Sequence, residues 1–168
     1  AAGDTLTGGD SGATATISGG GTGSVFFDGS NDYLRIPSVN SSFAFGTGAI
    51  TFECWFRPTN TGATLGGHIS GSTSDNFNIF YGTGNIGLWG GSGTFMNFGA
   101  NVELDTWHHV AVVRTGTGYN QTQFYFNGNR IGFGTWQTNY GAIEMLLGRN
   151  NLGGGNELDG YLSNVRIL

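Results

Sequence analysis

The clearest structural signal in this sequence is Trp107-His-His-Val-Ala-Val-Val-Arg114, where successive residues alternate in the manner of a strand. Alternation places Trp107 and His109 on one face, because the side chains of a β-strand point to opposite sides in turn. A second alternating run follows as Thr122-Gln-Phe-Tyr-Phe-Asn-Gly128. It ends in Asn127-Gly128, a pair that tolerates positive φ and therefore suits the two-residue turn of a hairpin. The sequence thus predicts two antiparallel strands here, with a third beginning after the turn.

The rest of the chain repeats this pattern. Short alternating or apolar runs recur, and Gly, Asn, Ser and Thr separate them. The further strand candidates are residues 24–28, 32–36, 49–57, 65–69, 76–81, 85–89, 94–98, 130–133, 143–147 and 158–167. Many short strands with Gly-rich turns and no helical periodicity predict an all-β fold, a two-sheet antiparallel jelly-roll sandwich over residues 24–168.

Composition bounds the function. The 168 residues suit one domain, and 13 Phe, 4 Trp and 6 Tyr supply apolar area for a core. Lys is absent, only 10% of the residues are charged, and the formal net charge is −5. An acidic, Lys-free surface argues against nucleic acid as a partner, because binding to a phosphate backbone depends on basic side chains. No run approaches the length of a membrane-spanning helix, so we expect no membrane insertion.

Residues 1–23 form a segment of different character, rich in Gly, Thr, Ser and Ala. Leu6 and Ile17 are its only sizeable apolar residues, so it cannot form a core of its own. Such a segment is either a linker or an extended arm. An ordered arm needs a partner that offsets about 1–2 kcal/mol of backbone entropy per residue. The alternatives are an edge of its own sheet and a neighbouring protein subunit, and we favour the neighbouring subunit.

Five blocks of the chain occur in an order that matches a known family. They are Ser24-Val-Phe-Phe-Asp-Gly-Ser-Asn-Asp-Tyr-Leu34, Gly48-Ala-Ile-Thr-Phe-Glu-Cys-Trp-Phe-Arg-Pro58, Asp105-Thr-Trp-His-His-Val-Ala-Val-Val-Arg114, Phe124-Tyr-Phe-Asn-Gly128 and Leu158-Asp-Gly-Tyr-Leu-Ser-Asn-Val-Arg-Ile167. Together they resemble the laminin-G-like, concanavalin-A-like lectin and glucanase jelly rolls, a group related to pentraxins. The Lys-free, Gly-rich composition also resembles versions of this fold in phage virion proteins and bacterial surface proteins. The resemblance implies two stacked antiparallel sheets and an extracellular or virion-surface location.

Catalysis is not expected. Glycosidases of this fold carry two carboxylates across a cleft, and their strand motif has the form Glu-x-Asp-x-(x)-Glu. The nearest matches here are Glu103-Leu-Asp105 and Glu157-Leu-Asp159, and both lack the third carboxylate. Each match also adjoins a structural block of the family, so Asp105 and Asp159 are interpreted as turn residues. We therefore assign no catalytic residue.

The resemblance to pentraxins implies a calcium site. On that resemblance the ligands are Asp75, Asn76, Asn150 and Asn151, with Glu157 further along the second loop. Oxygen ligands from carboxylates and amides suit this ion. Calcium is therefore the predicted cofactor, if a metal is bound at all. The alternative is that these residues are polar turn residues.

Aromatic residues in loops suggest contact with sugars, whose C–H faces pack on aromatic rings. Trp89, Trp136 and Tyr140 lie in loop-like segments, and Asn139 could bond a hydroxyl group. The alternative is that these rings belong to the core or to a subunit contact. Two further tryptophans, Trp55 and Trp107, are interpreted as packing residues because they lie in the family strand blocks. The single cysteine, Cys54, alternates with two Phe residues and is expected to be buried.

The sequence is compatible with two functions. One is a non-catalytic structural or decoration module on a cell or virion surface, with protein subunits as partners and with glycan contact. The other is a calcium-assisted, lectin-like adhesion module that binds carbohydrate.

Overall fold

The computed structural model describes residues 4–7, 14–17, 23–37, 44–61, 67–72, 77–90, 95–141, 143–151 and 156–168. Within these ranges the chain contains strands and no helix. The strands are β1 (Asp4–Thr7), β2 (Thr14–Ile17), β3 (Val25–Asp28), β4 (Leu34–Ile36), β5 (Ile50–Pro58), β6 (His68–Ser72), β7 (Asn78–Gly82), β8 (Asn85–Trp89), β9 (Phe95–Gly99), β10 (His108–Arg114), β11 (Thr122–Phe126), β12 (Asn129–Gly134), β13 (Met145–Leu147) and β14 (Asp159–Ile167). The all-β prediction is confirmed.

Two six-stranded antiparallel sheets form the body of the protein. The first has the order β12-β11-β10-β5-β14-β3, and we call it the β5–β10 sheet. The second has the order β4-β13-β6-β7-β8-β9, and we call it the β7–β8 sheet. Residues from both sheets make one contiguous apolar cluster. This is the two-sheet sandwich that the alternation predicted.

Strand β5 shows how the sequence builds the sandwich. Its inward residues Phe52, Cys54 and Phe56 are completely buried, as their alternation predicted. The outward residues Glu53 and Trp55 stand between them along the chain. Burial raises the pKa of the Cys54 thiol well above its ordinary value. The prediction that this cysteine is a small buried residue is confirmed.

The turn between β11 and β12 has the predicted geometry. Asn127 and Gly128 have φ angles of 49° and 77°, the left-handed region that a tight hairpin turn requires. The backbone N–H of Asn127 donates to the carbonyl of His109 at 2.8 Å, which ties the turn to β10. The turn therefore lies at the end of the β5–β10 sheet, next to the outward side chain of His109.

Within the N-terminal segment the structure describes one pair of short strands. Strands β1 and β2 pair antiparallel with each other, with Asp4 opposite Ile17 and Thr7 opposite Thr14. This pairing satisfies the backbone groups that face between the two strands, and neither described strand joins a six-stranded sheet. The association of this segment with a neighbouring subunit stays a prediction.

Candidate functional site

The outer face of the β5–β10 sheet carries a group of exposed aromatic side chains. Phe26, Trp55 and Trp107 are 48%, 42% and 40% exposed, values that are high for such large rings. Tyr161 and His109 lie beside them and are half-buried. We call these five residues the tryptophan face. Clustered exposed aromatic rings on a sheet are typical of a binding or contact surface, whereas single scattered rings are common on any protein surface.

Strand register brings these residues together. His109 on β10 lies opposite Trp55 on β5, and Trp55 lies opposite Ser163 on β14. Tyr161 on β14 lies opposite Phe26 on β3, two residues further along. Residues opposite one another on one face have Cβ atoms about 4.5–5.5 Å apart, so their side chains contact.

Each ring of the tryptophan face packs against another ring. The centroids of Trp55 and His109 are 5.3 Å apart, and those of Phe26 and Tyr161 are 4.9 Å apart. Trp107 reaches Tyr161 across the sheet at 6.4 Å. These contacts restrict the rotamers of the exposed rings before any ligand arrives, and such preorganisation lowers the entropy lost on binding.

Two hollows adjoin the paired tryptophans. One has a volume of about 540 Å³, and Trp55, Trp107, His109, Asn127 and Gly128 line it. The other has a volume of about 350 Å³, and Ser24, Trp55, Trp107, Ser163 and Asn164 line it. Both volumes lie in the range of small-molecule sites, roughly 300–1,000 Å³. Because the same two tryptophans line both hollows, they form a wall shared between them.

Two ion pairs adjoin the tryptophan face. Arg57 stacks on the Tyr161 ring, with Cζ 5.2 Å from the centroid, and its Nη2 donates to Asp105 Oδ1 at 2.9 Å. Glu53 accepts from Arg166 Nη1 at 3.1 Å, and its other carboxylate oxygen lies 3.7 Å from His109 Nε2. The exposure of Asp105 and Arg166 means that these pairs contribute little to stability. Their effect is to leave the face with nearly balanced charge.

Asn127 fixes the end of the face next to the hairpin turn. Its Oδ1 accepts from the backbone N–H of His109 at 2.9 Å. Its Nδ2 lies 3.1 Å from Nδ1 of the buried His108, whose Nε2 lies 3.0 Å from the carbonyl oxygen of Glu103. An amide nitrogen is a donor only, so Nδ1 of His108 is the acceptor and Nε2 carries the proton. This chain of bonds holds both the turn and β10 in place.

Trp55 and Trp107 are exposed, which corrects the prediction that they are packing residues. The signal for exposure was present in the alternation, because Trp55 shares its strand face with Glu53 and Arg57. The buried side chains of this strand, such as Phe52, lie on its other face. The family block placed Trp55 on a strand correctly, and Trp107 lies one residue before β10. The direction in which a strand side chain points follows from the alternation.

Two predicted ligand residues, Trp136 and Tyr140, do not lie on a loop surface. They are 0% and 2% exposed, and Trp136 Nε1 donates to the Tyr140 hydroxyl at 3.1 Å. Both rings also contact the buried guanidinium of Arg114. Burial raises the pKa of the Tyr140 hydroxyl, and the bond from Trp136 opposes this in part. Their burial matches the alternative that these rings belong to the core, because the segment after β12 folds inward.

The other two predicted ligand residues are exposed. Trp89 is 47% exposed and lies on the outer face of the β7–β8 sheet, opposite Phe95, which is 55% exposed. The ring of Phe95 stacks on buried Phe80, with centroids 5.6 Å apart. Asn139 is exposed on the loop after β12. Trp89 therefore belongs to a second, smaller aromatic patch on the opposite sheet, and the structure does not bring it together with the tryptophan face.

The residues predicted to bind calcium are only partly described. Asp75 and Asn76 lie outside the described residues. In the second predicted loop, Asn150 Oδ1 accepts from the backbone N–H of Asn151 at 2.7 Å, and Glu157 Oε1 lies 3.5 Å from Arg149 Nε. Across the described ranges no group of three or more His, Cys, Asp or Glu side chains is arranged to hold a metal ion. Calcium binding stays a prediction.

The carboxylates considered for catalysis have local partners. Glu103 Oε1 accepts from Asn101 Nδ2 at 2.9 Å. Asp105 has a φ of 56° in the turn before β10 and pairs with Arg57. Asp159 accepts from the hydroxyl of Thr59. These contacts are those of turn and strand-end residues.

The described part of the chain contains no helical segment with the length and hydrophobicity that crossing a bilayer would require.

Comparison with known proteins agrees with this architecture. The family model of the concanavalin A-like lectin/glucanases superfamily, laminin G type, matches residues 13–168. No curated protein sequence matches the chain.

Several solved structures share the fold at low sequence identity. Domain 4 of AbnA, an extracellular arabinanase from Geobacillus stearothermophilus in complex with arabinotriose, has a TM-score of 0.65 and 19% identity over 86% of this chain and 69% of that chain. A Bacteroides ovatus protein with a proposed carbohydrate-binding role has a TM-score of 0.59 and 18% identity over 80% of this chain and 40% of that chain. The heptameric SAP-like pentraxin from Limulus polyphemus has a TM-score of 0.53 and 18% identity over 80% of this chain and 68% of that chain. At these identities the likeness shows the fold alone, and the fold accommodates both binding modules and enzymes.

Proposed function

Because this chain belongs to the concanavalin A-like lectin/glucanases superfamily, we propose that it is a non-catalytic module that binds glycans through the tryptophan face. The observation that carries the proposal is the pair of exposed indoles, Trp55 and Trp107, between two hollows of ligand size. The apolar C–H faces of a sugar pack on such rings, and nearby polar groups can bond its hydroxyls. Carbohydrate-related proteins among the structural neighbours support this reading.

The absence of catalysis is part of the proposal. It is supported by the roles of the carboxylates near the two candidate motifs, which hold turns and strand ends, as Asp105 does with Arg57. Residues that act as general acid or nucleophile must instead face a substrate cleft. The composition supports a location outside a cell or on a virion surface, where a glycan-binding module would meet its ligands.

The test is a binding screen with paired substitutions. Wild type, Trp55→Ala, Trp107→Ala and Trp89→Ala are compared on a glycan array and then by affinity electrophoresis in gels that contain soluble polysaccharides. We expect Trp55→Ala and Trp107→Ala each to weaken binding at least tenfold, because losing a buried aromatic contact costs on the order of 1.5–3 kcal/mol. Trp89→Ala removes an equally exposed indole from the other sheet and should leave binding unchanged.

Two outcomes contradict the proposal. If no glycan binds, the exposed face serves another purpose, such as contact with protein subunits. If Trp89→Ala abolishes binding while Trp55→Ala and Trp107→Ala do not, the glycan site lies on the β7–β8 sheet. Circular dichroism and thermal melting of each variant establish that the substitutions leave the fold intact.

A further inference from the structure

We propose that the tryptophan face binds an internal segment of a neutral polysaccharide chain, lying across the strands, and not the terminal sugar of a glycan. The inference rests on the proposed glycan-binding function and specifies the class of ligand. It is carried by the position of the two hollows on either side of Trp55 and Trp107 and by the charge balance around them.

The first argument is the direction and length of the surface. The hollows run from Asn127, at the end of β11, past His109 on β10 and Trp55 on β5, to Ser163 on β14 and Ser24 before β3. These positions cross five neighbouring strands of the sheet. Four interstrand spacings of about 4.8 Å give a length of about 19 Å. A surface of that length accommodates several sugar units in a row.

The second argument is that both ends of this surface are bordered by exposed residues. Gly128 at one end is exposed in the hairpin turn, and Ser24 and Asn164 at the other end are exposed as well. A site selective for a terminal sugar surrounds that sugar on all sides except one, as enclosed ligand pockets do. Here a chain can enter one hollow, cross the two indoles and continue from the other hollow.

The third argument is chemical. The polar groups along the hollows are two hydroxyls, two side-chain amides and one imidazole, from Ser24, Ser163, Asn127, Asn164 and His109. Such neutral groups exchange hydrogen bonds with sugar hydroxyls without placing a net charge against the ligand. Ser163 Oγ donates to the Gly23 carbonyl at 2.8 Å and so offers its acceptor lone pairs.

The charged groups at the borders of the hollows do not favour an anionic ligand. Arg57 pairs with Asp105, and Arg166 pairs with Glu53, which also lies beside His109. A sulfate or carboxylate group on the ligand would have to compete with these carboxylates, and the formal net charge of −5 would repel it further. The ligand class is therefore a neutral chain.

The experiment uses defined oligosaccharides of increasing length. Isothermal titration calorimetry measures binding of neutral gluco-, xylo-, manno- and arabino-oligosaccharides with one to six units, and of a polygalacturonate series of matched lengths. For the neutral series that binds, we expect no detectable binding of the monosaccharide and at least a tenfold gain in affinity from the dimer to the pentamer. Blocking the reducing end of the hexamer should not change its affinity, and the matched polygalacturonate should bind at least tenfold more weakly.

A variant at the far end of the surface tests the extended binding directly. Asn164→Gly removes the side chain and preserves the backbone, since Asn164 has a φ of 50°. It should weaken the hexamer several-fold and leave the dimer unchanged. Asn120→Gly is the matched control, because Asn120 is exposed with a φ of 61° in the loop between β10 and β11. It should alter neither ligand.

The outcomes separate the two proposals. A monosaccharide that binds as tightly as the hexamer, and loses binding in Trp55→Ala, would overturn the extended-chain inference and leave the glycan-binding function intact. Preference for the polygalacturonate series would overturn the neutral-ligand inference alone. Failure of all glycans to bind, or binding that is insensitive to both Trp55→Ala and Trp107→Ala, would overturn the proposed function itself.

Discussion

The guanidinium of Arg114 lies over the indole of Trp136 in the core, with Cζ 4.8 Å from the ring centroid and both side chains 0% exposed. The guanidinium donates to the backbone carbonyls of Gly48 at 2.9 Å, Thr138 at 2.9 Å and Gly46 at 3.1 Å. A single buried cation thus ties the turn before β5 to the segment that follows β12. Burial lowers the pKa of this guanidinium, but Arg stays protonated in proteins.

Replacing Arg114 should destabilise the fold strongly. Arg114→Leu leaves the carbonyls of Gly48 and Thr138 without the guanidinium donor, at a cost of about 1–3 kcal/mol for each group, whereas the Gly46 carbonyl keeps the backbone N–H of Tyr140. We expect the free energy of unfolding, measured by urea denaturation, to fall by about 3 kcal/mol or more. The control is Arg166→Leu, which removes a 67% exposed side chain from a surface ion pair and should cost less than about 1 kcal/mol. An Arg114→Leu protein as stable as the control would refute this account of the core.

Stability should decline in alkaline solution. Burial raises the pKa of Tyr81 and of Tyr140 above the ordinary tyrosine value. Above about pH 10, the ordinary pKa of the group, the unfolded chain therefore releases protons that the folded chain retains. The stabilisation is complete below the ordinary pKa and is lost progressively as the pH rises towards the folded-state pKa. Thermal melting between pH 7 and pH 11 should show this loss, and Tyr81→Phe should reduce it.

Cys54 should react only when the protein unfolds. The thiol is completely buried, and burial raises its pKa, so both access and thiolate formation are prevented in the folded state. We expect no detectable reaction with Ellman's reagent at pH 8 in native buffer and one thiol per chain in denaturant. Stoichiometric labelling within minutes under native conditions would show that β5 opens readily.

The sequence predicted those features that depend on neighbouring residues. The strands around Phe52 and Phe124 follow from alternation, because a sandwich wall needs one apolar face. The turn at Asn127-Gly128 follows from the tolerance of these two residues for positive φ. Both signals are local, so neither required knowledge of the strand order.

Other features depend on contacts between distant parts of the chain. The burial of Trp136 results from packing on Arg114 and Phe77, residues far from it in sequence. No local pattern distinguishes such a tryptophan from one in an exposed loop. The pairing of β1 with β2 was likewise not predicted, because it appears in the backbone register and not in an apolar side-chain pattern. The tryptophan face combines both cases, since alternation sets the outward direction of Trp55 but only the strand order brings Tyr161 near Trp107.

A methyl group added at Gly87 should disturb the second aromatic patch. A Cβ at this position would lie 2.2 Å from the carbonyl oxygen of Met96 and 2.5 Å from Cζ of Phe80. Overpacking of this kind typically costs about 1–3 kcal/mol, and we expect Gly87→Ala to lower the free energy of unfolding by that amount. Gly99→Ala is the matched control, because a Cβ at Gly99, on the neighbouring strand, meets no atom within 4 Å. Equal stability of the two variants would contradict the close approach of β8 and β9 at this point.

Chemical footprinting of the four tryptophans should locate the bound glycan. Trp55, Trp89 and Trp107 are each at least 40% exposed, whereas Trp136 is completely buried. N-bromosuccinimide should therefore oxidise three tryptophans in the free protein and leave Trp136 intact, as measured by peptide mass spectrometry. A saturating glycan that packs on the shared wall between the hollows should protect Trp55 and Trp107 together, because both line both hollows. Trp89 on the opposite sheet serves as the internal control, and its oxidation should not change. Protection of Trp89 alone would place the glycan on the β7–β8 sheet, and protection of only one of the paired indoles would show that the ligand does not cross from one hollow to the other.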